Sequence, residues 1–465
     1  MNFNGRKKIT SGVDRVTASN VIDVLADALS IHLANKMDIE YLYNYYKGQH
    51  PVLQREKERN DFINNKIVEN RAYEIVKFVT GYRVGNPIQY VSRKADSIIT
   101  DDVTALNDIL YEKSKAKKDI ELVQWQSICG TAYRIVLPLD EVTLITADPR
   151  RTFVIYSADV FSRPLAGVYY TEDSEGNVTF TIYTDTEVIV VYNTDVVSVE
   201  PHLLGAIPII EYPSSEDRLG VFEPVLPLLD AIDTVDSNRI DGIEQYIQNL
   251  LVLYGVDIPK DETASTMRKK GVLVLPSQDG AGGKVDVKML SEQLNQSDTQ
   301  TVKDDMYQSV LRIVGMPSMS NGNSSESSNN GAVMYKNGWS QAEARAQEFE
   351  RMFDEPEMTT VKLILSYLDR TTDIHLKGRD IQVKFTRRNY EDIVSKATVL
   401  TTLLNNPYVA RIDAFTVCGL FPDPEESCRR GLEFYEESTT ENTGSAPVVV
   451  RSYTRNPENN ESVSV

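Results

Sequence analysis

Residues 316–336 read MPSMSNGNSSESSNNGAVMYK, and this nearly uncharged passage decides how the rest of the chain is organised. Its first fifteen residues contain six Ser, four Asn and one charged side chain, Glu326. Such a composition buries too little apolar surface to offset the conformational entropy that is lost on ordering. The sequence therefore predicts a mobile loop over 316–331.

The segments on both sides of this loop have the apolar periodicity of amphipathic helices. A helix is expected to begin at Ala332, and Pro356 should kink or restart it, because proline lacks a backbone donor and clashes with the preceding turn. Before the loop, another helix is predicted over 297–314. The apolar stripe of the helix after the loop, at steps of three and four, contains Trp339, Ala342, Ala346, Phe349 and Phe353.

A further long helix is predicted from about Leu228 to Tyr254, with one apolar side and one acidic, amide-rich side. The polar side carries Asp233, Ser237, Asp241, Glu244 and Gln248. Between this helix and the helix over 297–314, the sequence predicts a β-hairpin whose strands are 271–275 and 284–288. The order helix, hairpin, helix indicates an extended stalk with a small tip.

The remaining segments indicate an α+β fold. The first third is predicted to be mainly helical, with helices over 37–47, 70–79 and 101–128. From Ala132 the apolar period changes to two, which predicts an antiparallel meander with strands over 133–137, 152–156, 167–171, 178–183 and 188–192. Strands and helices do not alternate there, which argues against a doubly wound nucleotide-binding fold. Near the C-terminus, a strand over 381–386 and helices over 393–404 and 413–418 precede an acidic tail that is predicted to be disordered.

The net charge limits the partners that the chain can hold. Its 49 basic and 68 acidic side chains leave −19 with neutral histidines, whereas phosphate binding depends on Lys and Arg displacing counterions. Contact with nucleic acid should therefore be local and weak. Apolar runs such as Leu250–Val256 are far shorter than the roughly 18 residues that cross a bilayer, and no secretory signal is evident, so we expect cytoplasmic synthesis and no membrane span.

The sequence shows no signature of a catalytic or metal site. The histidines stand singly, without neighbours at metal-ligand spacing, and the cysteines are too few and too far apart for a disulfide framework. These residues are His32, His50, His202, His375, Cys129, Cys418 and Cys428. The glycine-rich turn at 280–284 lacks the residues of a phosphate-binding loop. We therefore expect no covalent chemistry, no cofactor and no metal.

This succession of segments resembles the portal proteins of tailed bacteriophages, in particular those of siphophages that infect Gram-positive hosts. The resemblance covers roughly residues 35–437 and is most specific where Ser327–Lys336 lead into the helix with Trp339. In that family this passage is the tunnel loop, the following helix is the tunnel helix, and the loops of twelve subunits ring a DNA channel. The stretches 41–48, 68–87 and 412–426 also match.

The resemblance implies a portal fold that is divided along the chain into the parts of that family. These are an N-terminal arm 1–36, a wing 37–226, a first stem helix 227–256, a clip 257–296, a second stem helix 297–315, a tunnel loop 316–331, a kinked tunnel helix 332–370, a wing remnant 371–391, a crown 392–437 and a disordered acidic tail 438–465.

The resemblance also assigns candidate site residues in three groups. For the tunnel loop at the DNA channel they are Ser318, Ser320, Asn321, Asn323, Ser324, Ser325, Ser328, Asn329 and Lys336. For the channel-facing side of the stem they are Asp233, Asp241, Glu244 and Gln248. For the clip, which would bind terminase and the head-tail adaptor, they are Lys269, Lys270, Lys284 and Lys288. Two alternatives stay open: Lys336 could simply pair with a neighbouring acid, and the clip lysines could only keep an exposed hairpin soluble.

The implied function is structural rather than enzymatic. A homododecameric ring would form the portal vertex of the virion, pass double-stranded DNA during packaging and ejection, and contact the major capsid and scaffolding proteins. Two other classes of function remain open from the residues alone. One is another head-tail connector or scaffold component, and the other is a metal-dependent nuclease whose acidic residues converge only in the folded chain.

Overall fold

The computed structural model divides into two compact units, the first ending at Arg388 and the second beginning at Asn389. It describes residues 5–57, 63–93, 97–138, 141–202, 204–247, 250–254, 272–275, 286–290, 296–318, 338–387, 393–421 and 424–442. No helix among these residues is long and apolar enough to cross a lipid bilayer.

Helices and strands are both abundant, which confirms the predicted α+β class. The helices of the first unit are α1 Val21–Tyr46, α2 Arg71–Val84, α3 Ser97–Glu112, α4 Lys115–Cys129, α5 Leu226–Ile247, α6 Gln296–Val314 and α7 Trp339–Thr371. Those of the second unit are α8 Ile393–Leu404, α9 Arg411–Cys418 and α10 Pro424–Asn442. The strands are β1 Ile9–Ser11, β2 Gln89–Ser92, β3 Thr131–Pro138, β4 Val142–Ala147, β5 Thr152–Ser157, β6 Pro164–Glu172, β7 Val178–Tyr183, β8 Glu187–Tyr192, β9 Asp195–Pro201, β10 Ile209–Pro213, β11 Leu250–Tyr254, β12 Val272–Leu275, β13 Asp286–Leu290 and β14 Ile381–Lys384.

The N-terminal region differs from the predicted arm. We expected a helix from residue 37 only, whereas α1 already begins at Val21 and β1 pairs in parallel with β5. The first turns of α1 bury Val21, Val24 and Leu25 against the strands of the same sheet. The boundary that we placed at residue 36 therefore falls inside a helix.

The helix predicted over 101–128 is two helices. Ser114 lies between α3 and α4 with φ +53°, in the left-handed region, and this residue interrupts the helical path. The apolar pattern is similar on both sides of the interruption, so periodicity alone did not reveal it.

The predicted meander is present, but it belongs to two sheets. One sheet has six strands in the order β1-β5-β6-β7-β8-β9, and a three-stranded sheet has the order β10-β3-β4. The prediction missed β4, β9 and β10, whose short runs contain threonine, serine, glutamate or proline and alternate weakly. The two sheets meet where Gly167 lies against Ile209, in a small core with Tyr133 and Val154.

The prediction for residues 228–288 is wrong in two respects. The helix α5 ends at Ile247, and Leu250–Tyr254 is a strand rather than its last turns. This strand lies between β12 and β13, parallel to the first and antiparallel to the second, so β12 and β13 do not form a hairpin with each other. A short apolar run with Val and Tyr fits a strand as well as a buried helix, and the periodicity could not separate the two.

The C-terminal half contains the predicted elements, but α7 is not interrupted at Pro356 and the last helix, α10, extends into the predicted tail. The helix α7 continues through Pro356 as one helix of 33 residues instead of restarting there. The strand β14 pairs with β2, which joins residues 381–384 to the N-terminal part of the first unit. In the second unit, α9 ends at Gly419 as predicted, whereas α10 extends to Asn442 and so includes residues assigned to the tail.

Candidate functional site

The two ends of the serine- and asparagine-rich passage lie next to each other. Gly315 has φ +77° and ends α6, and the backbone N–H of Met316 donates to the carbonyl of Leu311 (2.9 Å). The Ser318 hydroxyl donates to the side-chain oxygen of Gln308 (2.7 Å). Gly338, which has φ +80°, precedes α7, and a Cβ on it would lie 3.5 Å from the Cα of Pro317. Ser318 and Gly338, at the two ends of this passage, therefore lie close together: a Cβ on Gly338 would be 3.9 Å from the Ser318 nitrogen.

Of the predicted tunnel-loop residues, Ser318 is among those that the structure describes, and its hydroxyl is hydrogen-bonded to α6. The others lie outside the described residues: Ser320, Asn321, Asn323, Ser324, Ser325, Ser328, Asn329 and Lys336.

The first turns of α7, directly after this passage, are held by contacts with α2 and with Arg387. Trp339 packs with Phe78 and Tyr82 of α2, with ring centroids 6.1 and 5.8 Å away. The Tyr82 hydroxyl donates to Glu343 (2.9 Å), and the Arg387 guanidinium donates to the same carboxylate (2.5 Å). Burial alone would raise the pKa of Glu343, but the hydrogen bonds from Arg387 and Tyr82 lower the pKa overall. The helix after the passage therefore starts from a rigid anchor.

The polar side of α5 is occupied by another segment of the same subunit, residues 63–69. The backbone N–H groups of Asn65, Ile67 and Glu69 donate to side-chain oxygens of Asp241 (2.7 Å), Ser237 (3.0 Å) and Asp233 (2.8 Å). Two residues of an extended chain span about 6.6 Å and four residues of a helix about 6.0 Å. Every second N–H of the 63–69 segment therefore meets every fourth residue of α5.

Side chains from residues 50–57 complete this contact. The His50 ring shares a hydrogen bond with Asp233 (2.5 Å) and stacks on Tyr45 at 3.8 Å between ring centroids. Lys57 donates to Asp241. Burial alone would raise the pKa of Asp241, but the hydrogen bonds from Lys57 and Asn65 lower it overall.

The predicted channel-facing role is wrong for two of the stem acids. Asp233 is 0% exposed and Asp241 is 2% exposed within the subunit, because the 50–57 and 63–69 segments cover both carboxylates. Glu244 is partly exposed, and its role stays a prediction. Gln248 lies outside the described residues. The four-residue spacing of Asp233, Ser237 and Asp241 was the available signal for this contact, but the 63–69 segment has no periodicity that marks it as the partner.

The helices α5 and α6 lie side by side in the described structure. Lys303 of α6 bonds to Asp236 of α5 (2.9 Å) and to Glu69 (2.6 Å), and Arg239 donates to Gln300 (2.7 Å). Some apolar residues of α5 and α6 are buried in a core shared with α1 and α2. They include Leu229, Ile232 and Val310. Other apolar residues of the two helices are exposed: Ile240 by 37%, Val302 by 54% and Ile313 by 48%.

A buried cluster of charges fixes α7 to the strands β3 and β10 and to the helix α4. The Arg134 guanidinium bonds to Asp119 (2.5 Å) and Glu357 (3.4 Å), and the Lys115 ammonium bonds to the same two carboxylates at 2.7 and 3.0 Å. The hydroxyls of Tyr90 and Tyr212 also donate to Glu357. Burial alone would raise the pKa of Glu357, but the charges of Lys115 and Arg134 and the hydrogen bonds from Tyr90 and Lys115 lower it to about 2.

The sequence analysis missed this cluster. Its signal was a single arginine inside the otherwise uncharged strand β3 and a glutamate next to Pro356 on the apolar side of α7. A charge on a core-facing position has to be paired, so such residues predict a buried network without showing its members.

The predicted clip residues stay largely untested. Lys288 lies in β13, opposite Val252 of β11. Lys269, Lys270 and Lys284 lie outside the described residues. Among the residues that the structure does describe, no three His, Cys, Asp or Glu side chains come together in a way that could hold a metal ion. Cys129, Cys418 and Cys428 are buried free thiols.

Three solved structures have folds similar to part of this chain, and all come from gene transfer agent (GTA) particles. They are the neck of an empty particle with C6 symmetry (TM-score 0.46, 13% identity), the neck of a native particle with C12 symmetry (0.43, 13%) and the native virion (0.40, 12%). Each similarity covers 76% of this chain and 90% of the other chain.

The sequence itself matches phage portal proteins. The portal protein of Bacillus phage SPP1 is 22% identical over 270 residues, and the matched part spans about half of each protein, 51% of this chain and 51% of the relative. The model of the family described as phage portal protein, SPP1 Gp6-like, matches residues 26–411. Because that match includes most of the chain, the protein belongs to the SPP1 Gp6-like family of phage portal proteins.

Proposed function

We propose that this chain is a subunit of the ring through which a tailed phage packages and ejects its DNA. The observation that carries the proposal is the adjacency of Pro317 and Gly338, which flank the passage of Ser and Asn. A long and nearly uncharged passage whose two ends are held at one point suits a finger that reaches into a channel. The proposed role is structural, in the virion after synthesis in the host cytoplasm.

The physical requirements of a DNA channel support this role. Strong cationic contacts would retain the duplex at every phosphate, whereas a charge of −19 on each subunit discourages such binding. Hydroxyl and amide groups such as those of Ser320, Asn321, Asn323, Ser324, Ser325, Ser328 and Asn329 can exchange hydrogen bonds with passing phosphates. Glu244, which is partly exposed on α5, is the proposed residue of the repulsive wall.

Assembly into a ring of twelve subunits would cover the exposed apolar residues of the stem. Ile240, Val302 and Ile313 are between 37% and 54% exposed on α5 and α6, and a closed ring brings two different surfaces of neighbouring subunits together. By the same proposal, the region around β11, β12 and β13 with Lys269, Lys270, Lys284 and Lys288 binds terminase and then the head-tail adaptor. The major capsid and scaffolding proteins would contact the remaining outer surface.

The test compares two variants of the full chain. Deletion of 319–329 keeps the Ser318 anchor, and we expect it to form rings in negative-stain images while packaging or retaining less DNA. Val302→Asp places a charge on the exposed stem surface, and we expect it to prevent ring formation without unfolding the subunit.

Either of two results would contradict the proposal. One is a deletion variant that packages and retains DNA as the wild type does, because the passage would then have no role at the channel. The other is a wild-type protein that stays a monomer under all assembly conditions. Metal-dependent cleavage of plasmid DNA that is lost in a carboxylate variant would instead favour the nuclease alternative.

A further inference from the structure

The strand β9 is the terminal strand of the six-stranded sheet, and in the described structure it pairs with β8 only. Its outer edge therefore presents backbone N–H and C=O groups without a partner strand. Three of its valines are also exposed: Val196 by 38%, Val197 by 64% and Val199 by 41%. An edge of seven residues with exposed valines is a ready template for another strand.

Two of the exposed valines, Val196 and Val199, lie on the core-facing side of the sheet. Val199 lies opposite Ile189, and Val196 lies opposite Val191. Paired residues of neighbouring strands are on the same face, and both Ile189 and Val191 are 0% exposed in the core below α1. An added strand would extend this core and cover Val196 and Val199.

The charged residues of the strands that form this edge are acidic. No Lys or Arg occurs from residue 164 to 217, and the strands β6–β9 with their turns carry seven acidic residues. These are Glu172, Asp173, Glu175, Asp185, Glu187, Asp195 and Glu200. One cation reaches them from outside, Arg15, which pairs with Asp185 at 2.9 Å. On β9 itself, Asp195 and Glu200 are exposed near the two ends of the strand.

These charges determine which partner suits the edge. Antiparallel pairing of two copies of β9 would bring Asp195 of one copy near Glu200 of the other, and like charges across strands destabilise a pair. Lysine, the common protection of natural edge strands, is absent from β9. We propose that the free edge of β9 binds an extended segment of a different protein, one in which Lys or Arg alternates with apolar residues, as an additional strand.

Each part of such a segment has a place at this edge. Its backbone completes the hydrogen bonds of β9, its apolar side chains cover Val196 and Val199, and its cations meet Asp195 and Glu200. The backbone pairing supplies binding and the opposite charges supply selection of the partner.

A direct test uses the full chain and a labelled seven-residue peptide in which Lys and Val alternate. A peptide of equal charge with Pro in place of Val is the control, because proline cannot donate to a neighbouring strand. We expect the Lys-Val peptide to bind at least tenfold more tightly by fluorescence anisotropy. We also expect amides of 195–200 to gain protection from hydrogen exchange in the complex; Pro201 has no backbone N–H.

Variants of the protein separate the edge from general attraction to an acidic chain. The double variant Asp195→Lys with Glu200→Lys should bind the Lys-Val peptide roughly tenfold more weakly, because two exposed attractions become repulsions. The matched control, Asp108→Lys with Glu112→Lys on α3, changes the net charge equally and should bind within about twofold of the wild type. Protection of the β5–β8 amides in both variants verifies that the sheet is intact.

The inference is overturned by equal binding of the Lys-Val and Lys-Pro peptides, by equal loss of binding in the two double variants, or by protection that appears outside β9. Protection of 195–200 that rises with protein concentration without peptide would assign the edge to a second copy, and this also contradicts the inference.

Discussion

Two acidic surfaces of this molecule look alike in sequence and differ in the folded chain. On α5, Asp233 and Asp241 are almost fully buried and accept hydrogen bonds from His50, Lys57 and the 63–69 segment. Around β9, the acids Asp195 and Glu200 are exposed. The first set holds the subunit together, and the second is available to a partner. A row of acidic residues therefore does not indicate a repulsive surface until its partners are known.

Substitution of a buried acid on α5 should lower the stability of the subunit more than substitution of an exposed acid on β9. We expect Asp233→Ala to lower the free energy of unfolding by about 4 kcal/mol, because His50 and the Glu69 N–H would each lose an acceptor at roughly 1–3 kcal/mol. Urea unfolding of the full chain, followed by circular dichroism, measures this change.

The matched change on the exposed set is Asp195→Ala, which should alter the free energy of unfolding by less than about 0.5 kcal/mol. If both substitutions have the same effect, the difference in burial between the two acidic surfaces has no energetic meaning.

The buried charge cluster on α7 gives a comparison in pH. Glu357 has an ordinary pKa of 4.5 and a folded pKa of about 2, so its stabilising effect is fully present above pH 4.5 and is lost as the pH falls toward 2. The full shift corresponds to about 3 kcal/mol. We expect the difference in unfolding free energy between the wild type and Glu357→Gln to shrink by about that amount over this pH range.

The control is Glu200→Gln at an exposed position of β9, whose difference from the wild type in unfolding free energy should stay within about 0.5 kcal/mol throughout. A constant difference for Glu357→Gln as well would mean that this carboxylate is not held in its charged form by Lys115 and Arg134.

The sequence predicted the elements of the fold better than their contacts. Strong periodicity located α2, α6 and most strands of the six-stranded sheet, because a buried stripe leaves a repeat in the residues themselves. It assigned Leu250–Tyr254 to a helix, since a run of five apolar residues is too short to have a period. It also continued α3 into α4, because a single left-handed residue such as Ser114 leaves no mark on the apolar pattern.

For the candidate site, the sequence predicted the family better than the contacts. The resemblance of the Ser/Asn passage to a tunnel loop led to the right family, but it could not show that Pro317 and Gly338 are neighbours. The acids of α5 were placed on a channel because nothing in residues 63–69 marks them as a binding partner. Backbone N–H groups carry no sequence signature, and a contact made by them has to be seen in the fold.

The smallest effect concerns the middle contact of that pairing. Ser237→Ala removes the acceptor of the Ile67 N–H and also the bond that the Ser237 hydroxyl donates to the Asp233 carbonyl (2.8 Å), and we expect a loss of about 1–2 kcal/mol in the free energy of unfolding. Hydrogen exchange should speed up at Ile67 while Asn65 and Glu69, which are held by Asp241 and Asp233, change little. Ser237→Thr, which keeps the hydroxyl, should restore the protection of Ile67. If exchange instead speeds up equally at all three amides, the 63–69 segment separates from α5 as one unit, and its hydrogen bonds are not independent of each other.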